Sequence, residues 1–144
     1  MSSFEVVEHL LNELRSDRTP FPNVERLVVV GHSAGGQFVN RFAAAVKLRA
    51  NEHAVVMNPR TYLYVDGRRR MADGTFSIPE PAPPDYDYYR YGLQNLNGTL
   101  CRLKLGTIRN NLLHNQVHYL AGTLDVEDEE LDVSEAAMLQ GRHR

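Results

Sequence analysis

The chain has 144 residues and a mass of 16.4 kDa, with 16 basic and 18 acidic side chains and a formal net charge of −2. A chain of this size buries roughly 70% of its unfolded surface, so it can form one hydrophobic core. Apolar residues at 42% and charged residues at 24% exclude an intrinsically disordered chain. The near-neutral charge predicts no nucleic-acid partner, and no apolar run approaches the ~20 residues of a membrane span.

The chain has a single cysteine, Cys101, which excludes an internal disulfide and a zinc site built from cysteines. Its first residues lack the basic start and the long apolar stretch of a secretory signal peptide, and no segment assigns the protein to a cellular compartment. We expect neither a metal nor any other cofactor.

Hydrophobic periodicity predicts helices and strands along most of the chain. Ser2 and Glu5 have the S-x-x-E spacing of a capping box, ahead of an amphipathic helix with apolar residues from Val7 to Leu14. The valine run at 27–30 is typical of a strand buried on both faces of a parallel sheet. The remaining predicted elements are helices at 37–50, 100–113 and 134–139 and strands at 53–57 and 116–121.

This order of elements predicts βαβ units. The expected fold class is therefore α/β, with about three parallel strands and flanking helices in a single domain over residues 1–144. Residues 59–99 hold an arginine run, four prolines between Pro79 and Pro84 and most of the tyrosines, without a sustained period. We interpret them as a cap-like insertion, in which only 61–65 have the pattern of a short edge strand.

Gly31-x-Ser33-x-Gly35 lies between the valine strand and the next predicted helix, and it has the form of a nucleophile elbow. Such a turn is strained and projects the serine hydroxyl above the sheet. Side chains two residues before and after the serine would collide there, which predicts glycine at positions 31 and 35. The N–H of Ala34 and the positive end of the following helix would then stabilise an oxyanion.

Two other interpretations of this turn remain open. A G-x-S-x-G motif arises by chance in roughly 5% of chains of this length, so the segment could be a tight turn without chemistry. A nucleotide-binding loop is the second alternative. It is disfavoured because G-x-G-x-x-G requires glycine where Ser33 stands and because no G-K-[ST] follows.

The sequence Gly-His-Ser-Ala-Gly-Gly-Gln and the valine run before it resemble the elbow of the α/β-hydrolase superfamily, of serine-esterase type. Asn58-Pro59 and residues 86–93 resemble a group of uncharacterised bacterial and fungal hydrolases. Residues 119–125 and 136–141 resemble the strand end that presents the triad acid and the helix after it.

The resemblance implies that Ser33 is the nucleophile, that Ala34 donates to the oxyanion and that Asp125 orients the base. It implies hydrolysis of an ester or other acyl bond in a small-molecule substrate of unknown identity. From the residues alone, Asp125 follows a predicted parallel strand, where α/β sheets place their sites. The alternative is that Asp125 belongs to a solvated acidic loop, because 125–135 holds seven carboxylates.

The general base is the weak point of this interpretation. His143 is the one histidine after Asp125, and a penultimate residue is poorly placed to hold an imidazole in a catalytic position. His32 should point away from the nucleophile. His114 and His118 straddle a break between helix and strand, which disfavours a metal site.

We therefore expect an internal part of an α/β-hydrolase, without its opening strands and its histidine loop, that is weakly active or inactive alone. The alternatives are a non-catalytic remnant or interaction module with a hydrolase-like fold, and a nucleotide-binding βαβ domain. A three-stranded sheet would leave an apolar edge beside residues 27–30, which predicts self-association.

Overall fold

A computed structural model describes residues 1–17, 19–123 and 134–140. Its helices are α1 (Ser3–Ser16), α2 (Ala34–Ala45), α3 (Leu105–His114) and α4 (Glu135–Met138), with a 3-10 turn at Leu100–Arg102. Its strands are β1 (Leu27–His32), β2 (Glu52–Met57), β3 (Arg69–Arg70), β4 (Phe76–Ser77) and β5 (Gln116–Leu120). None of the described helices is long and apolar enough to cross a bilayer.

Three parallel strands form the sheet in the order β1–β2–β5. Leu27 lies opposite Glu52, and His53 lies opposite Gln116. The connections between these strands contain helices, as right-handed βαβ crossovers require. The expected α/β class with about three parallel strands is confirmed.

The first helix begins where the capping box predicts. The N–H of Glu5 donates to Ser2 Oγ at 3.2 Å, and the N–H of Ser2 donates to Glu5 Oε2 at 2.5 Å. Leu11 on its apolar face is buried in the main core. The capping box and the helical period therefore place α1 on the sheet.

Helix α2 is the centre of the hydrophobic core. Phe42 is fully buried and packs with Ala54 and Val56 of strand β2. The Phe4 ring of α1 contacts the Phe38 ring of α2 at a centroid distance of 5.1 Å. Helix α3 packs on α2 in turn, with a second cluster of buried residues that includes Ala44, Leu63, Leu93, Leu100 and Ile108.

The expectation that the valine run is buried on both faces is wrong. Val28 is 47% exposed and Val30 is 58% exposed. The core helices pack against Leu27 and Val29, whose side chains point to the other face of β1. Strand β1 is also an edge strand within the described part of the chain, so its outer side lacks a neighbouring strand there.

Residues 59–99 are organised by buried arginines and not by regular structure, and the short strand predicted at 61–65 does not form. Arg69 is fully buried, donates to Asp87 Oδ1 at 2.9 Å, and lies over the Tyr64 and Tyr86 rings at 4.1 and 5.0 Å from their centroids. It also donates to the Asp66 carbonyl at 2.9 Å. Because such bonds join residues far apart in sequence, no hydrophobic period marks the segment.

A buried ion pair joins α1 to the start of β2. Both oxygens of the Glu52 carboxylate accept hydrogen bonds from the Arg15 guanidinium, and Oε2 also accepts from the Arg49 N–H at 2.8 Å. Burial alone would raise the pKa of Glu52, but these hydrogen bonds outweigh it and hold the pKa below its ordinary value of 4.5. The ionised carboxylate is therefore the form that stabilises the fold.

We expect Glu52→Gln to lower the free energy of unfolding by about 3 kcal/mol, because it leaves the Arg15 charge buried without its partner. A carboxylate with a lowered pKa stabilises the fold above its ordinary pKa and loses that effect as the pH falls through the lowered value. The difference between wild type and variant in urea titrations should therefore shrink below about pH 4.5. Glu13→Gln, an exposed position on α1, is the control and should change little. An equal difference at all pH values would contradict this role of Glu52.

Candidate active site

The carboxyl ends of the three parallel strands meet at one edge of the sheet, where backbone hydrogen bonds join them. The N–H of Ser33, just after β1, donates to the Met57 carbonyl at the end of β2, at 2.9 Å. The N–H of Asn58 donates to the Leu120 carbonyl at the end of β5, also at 2.9 Å. Open α/β sheets place their binding sites at this edge.

Ser33 occupies a strained backbone conformation between β1 and α2. Its φ is 53° and its ψ is −115°, outside the regions that residues with a Cβ ordinarily adopt. Its carbonyl accepts from the Gln37 N–H at 3.0 Å, which joins the turn to α2. The residue is exposed, and its hydroxyl makes no hydrogen bond with the described residues. The turn therefore presents a serine hydroxyl to solvent at the edge of the sheet.

The glycines around Ser33 differ in what they allow. A Cβ on Gly31 would lie 2.1 Å from the Gly35 carbonyl oxygen, so no side chain fits there. A Cβ on Gly36 would lie 2.6 Å from the Met57 carbonyl oxygen. A Cβ on Gly35 would meet nothing within 4 Å. The steric requirement expected at Gly35 is therefore wrong, because it is Gly36 that faces the neighbouring strand.

Ala34 is the first residue of α2, so its N–H has no carbonyl of the same helix to donate to. The first turn of α2 contains no acidic side chain. The partial positive charge of the helix end therefore remains available to an anion beside Ser33. This position allows the oxyanion role expected for Ala34.

Asn58 fixes the exit of β5, a role that sequence reasoning missed. Its φ of 39° turns the chain away from β2, and its Oδ1 accepts from the Gly122 N–H at 2.8 Å. This hydrogen bond holds the segment that leads toward Asp125. An asparagine directly after a strand and before Pro59 is the signal that could have indicated such a turn.

The residues expected to complete a triad are not described. Asp125 and His143 both lie outside the described residues. Asp125 follows the tethered Gly122 by three positions in the chain. The pairing of Ser33 with an acid and a base therefore stays a prediction.

The described histidines lie apart from the Ser33 hydroxyl or form other contacts. His53 Nδ1 lies 3.0 Å from His118 Nε2, a contact between strands β2 and β5. His114 Nδ1 lies 2.9 Å from the Asn110 carbonyl, so His118 partners His53 and not His114. Among the described residues, no group of three or more metal-ligating side chains lies together.

Polar side chains of α2 attach residues 59–99 to the sheet. Arg41 is buried and donates to the Thr61 carbonyl at 2.6 Å and to the Arg90 carbonyl at 2.7 Å. Burial lowers the pKa of Arg41 to about 10. Asn40 donates to the Tyr119 hydroxyl at 2.9 Å, and burial raises the pKa of that phenol.

Helix α4 also packs on this segment. Ser134 caps the helix by accepting from the Ala137 N–H at 3.2 Å. Ala136 and Ala137 are buried against Tyr91. Gln140, just beyond the helix, accepts from the Tyr62 N–H at 2.6 Å. Residues 59–99 are therefore held from two sides, by α2 and by α4.

We expect Gly31→Ala and Gly35→Ala to have opposite effects on stability. The alanine at position 31 would press on the Gly35 carbonyl and lower the free energy of unfolding by about 3 kcal/mol or more. The alanine at position 35 has free space in a helix and should raise the free energy of unfolding by up to about 1 kcal/mol. Urea denaturation measures both changes. If Gly31→Ala unfolds at the wild-type urea concentration, this description of the turn is wrong.

The chain was compared with known proteins. No family model matches it, and no curated protein matches it. Among solved structures it is similar to poly(aspartic acid) hydrolase-1 from Sphingomonas sp. KT-1, with a TM-score of 0.62 and 26% sequence identity. The match covers 98% of this chain and 44% of that chain, so this chain spans less than half the length of that hydrolase. The likeness supports a hydrolase-like fold.

Proposed function

We propose that the chain is a serine-hydrolase domain of the α/β-hydrolase type, with Ser33 as its nucleophile. The observation that carries this proposal is the backbone of Ser33, with φ at 53° in a turn between a parallel strand and a helix. Backbone strain of this kind collects at functional sites, because only a surrounding structure that fixes the residue can maintain it. The similarity to a solved hydrolase over nearly the whole chain supports the same reaction class.

In the proposed mechanism the Ser33 hydroxyl attacks the acyl carbon of an ester or other acyl bond. The N–H of Ala34 and the N-terminal end of α2 stabilise the oxyanion that forms. The leaving group departs with a proton from the general base, and an acyl group remains on Ser33. Water then releases this acyl group and regenerates the serine.

We assign Asp125 to the orientation of the base and keep His143 as the candidate base by chain order. Serine, acid and histidine follow one another in this order in α/β-hydrolases. The tether between Asn58 and Gly122 supports the assignment of Asp125, because it fixes the start of the segment at the edge that carries Ser33. No described histidine contacts the Ser33 hydroxyl, so we expect slow turnover by this chain.

The substrate class follows from the same similarity. The solved relative is named a poly(aspartic acid) hydrolase, and the bonds that join aspartic acid units are acyl bonds. We propose an acyl compound as the substrate and poly(aspartic acid) as the first compound to test. We further propose that residues 1–144 form one domain in which 59–99 is a cap-like insertion near the site. The hydrogen bonds of Arg41 to this segment support that arrangement.

A second candidate function is a non-catalytic domain that keeps the hydrolase-like fold. One observation favours it, namely that the Ser33 hydroxyl has no hydrogen-bond partner among the described residues. A serine without an activating base is a weak nucleophile. Chemical reactivity of Ser33 therefore separates the two functions.

A fluorophosphonate probe should form a covalent adduct with Ser33 of the folded protein. Trypsin releases the adduct in the peptide of residues 27–41, in which Ser33 is the single hydroxyl side chain. Ser33→Ala should abolish labelling, and Ser77→Ala, an exposed serine of β4, should label as wild type does. Folded wild-type protein that does not react would favour the non-catalytic domain.

The same reaction tests the acid. Asp125→Asn should slow labelling by about 10²–10⁴-fold, because an unoriented base removes the proton poorly. Asp128→Asn lies in the same acidic segment and should label at the wild-type rate. Equal rates for both variants would place Asp125 in a solvated loop without a catalytic role.

A further inference from the structure

Strand β1 is an unprotected edge. It lies at one side of the sheet, and its six residues contain no proline and no lysine, arginine, aspartate or glutamate. Its pairing with β2 continues without a bulge from Leu27 to His32. Soluble proteins protect an edge strand with charge, proline, a bulge or a covering segment. Within the described residues, β1 has none of the first three.

The exposed side chains of β1 belong to an apolar sheet face. Val28 and Val30 lie on the side of the sheet turned away from α1 and α2. Leu120 of β5 is 51% exposed, and its position two residues beyond His118 places it on the same side. Parallel sheets ordinarily have both faces covered, because their strands are apolar on both sides. This face therefore has the character of a surface that a partner covers.

The total exposed surface supports the same conclusion. The chain exposes 9261 Å², whereas a compact monomer of 16.4 kDa exposes about 7,500 Å². The excess is larger than the roughly 800 Å² that each partner contributes to a standard interface. The exposed valines of β1 are part of that excess.

We propose that β1 pairs antiparallel with β1 of a second copy of this chain, around a twofold axis perpendicular to the sheet. The two three-stranded sheets would then form one sheet of six strands. A second copy fits because β1 is uncharged and apolar in both chain directions, so the strand is complementary to itself. The pairing does not use the Ser33 side chain, and the proposal is independent of the proposed reaction.

The geometry makes a specific demand on side chains at the junction. A twofold axis perpendicular to the sheet keeps the apolar faces of both copies on one side. Val28 and Val30 of one copy then lie beside the same residues of the other copy. Like charges at these positions should repel, and opposite charges should attract.

Light scattering after gel filtration of the wild-type chain should give twice the monomer mass of 16.4 kDa. The double variants Val28→Lys/Val30→Lys and Val28→Glu/Val30→Glu should each elute as monomers. An equimolar mixture of the two should recover the dimer. This recovery distinguishes a lost interface from a damaged fold, because two damaged chains would not combine.

Two control variants locate the interface. Leu113→Lys on α3, where leucine is 67% exposed, tests whether any exposed apolar residue matters. Leu120→Lys tests whether the whole face stacks instead of the edge. Both should remain dimeric. Dissociation by Leu120→Lys as strong as that of the valine variants would overturn edge pairing.

A monomeric wild type, or a mixture of charge variants that stays monomeric, would also overturn the proposal. If the charge variants do not fold, hydrogen exchange of the wild-type chain decides instead. Amide protection in β1 should then increase with protein concentration while protection in α2 stays constant. Protection of β1 that is independent of concentration would contradict the pairing.

Discussion

The close approach of the start of α2 to the ends of β1 and β2 is the contact on which the structure depends. Gly31 leaves room for the Gly35 carbonyl, and Gly36 leaves room for the Met57 carbonyl. The hydrogen bond from the Ser33 N–H to the Met57 carbonyl closes the turn at 2.9 Å. With this contact in place, α2 lies across the sheet with Phe42 in the core, and the strained Ser33 faces solvent at its start. A single packing constraint thus forms the core and exposes the candidate nucleophile.

The second part of the molecule is held by polar contacts. Arg41 of α2 binds carbonyls at both ends of residues 59–99, and Arg69 lies buried among tyrosines within them. Buried charges of this kind cost desolvation energy and are tolerated where several hydrogen bonds compensate. The result is a segment without regular structure that is nevertheless fixed to α2, the helix that begins at Ser33. This arrangement is consistent with a segment that shapes access to the site.

Local patterns predicted the parts of the fold that depend on local rules. The capping box of Ser2 and Glu5, the helical period of α1 and the order of the parallel strands all follow from spacing along the chain. Other features depend on contacts between distant residues and could not be predicted in this way. Exposure of Val28 depends on which face the helices cover, and the roles of Gly36 and Asn58 depend on the neighbouring strands. The partners of Arg69 lie up to 22 positions away in the chain.

The central claim is that Ser33 carries out covalent catalysis, and an acyl-enzyme is its most direct sign. The folded chain should be mixed with an activated p-nitrophenyl ester, quenched in acid and digested with trypsin. We expect a burst of p-nitrophenol together with an acyl group on the peptide of residues 27–41, located on Ser33 by fragmentation. Folded protein that releases p-nitrophenol without an acyl group on Ser33, or that does not react at all, would contradict the account.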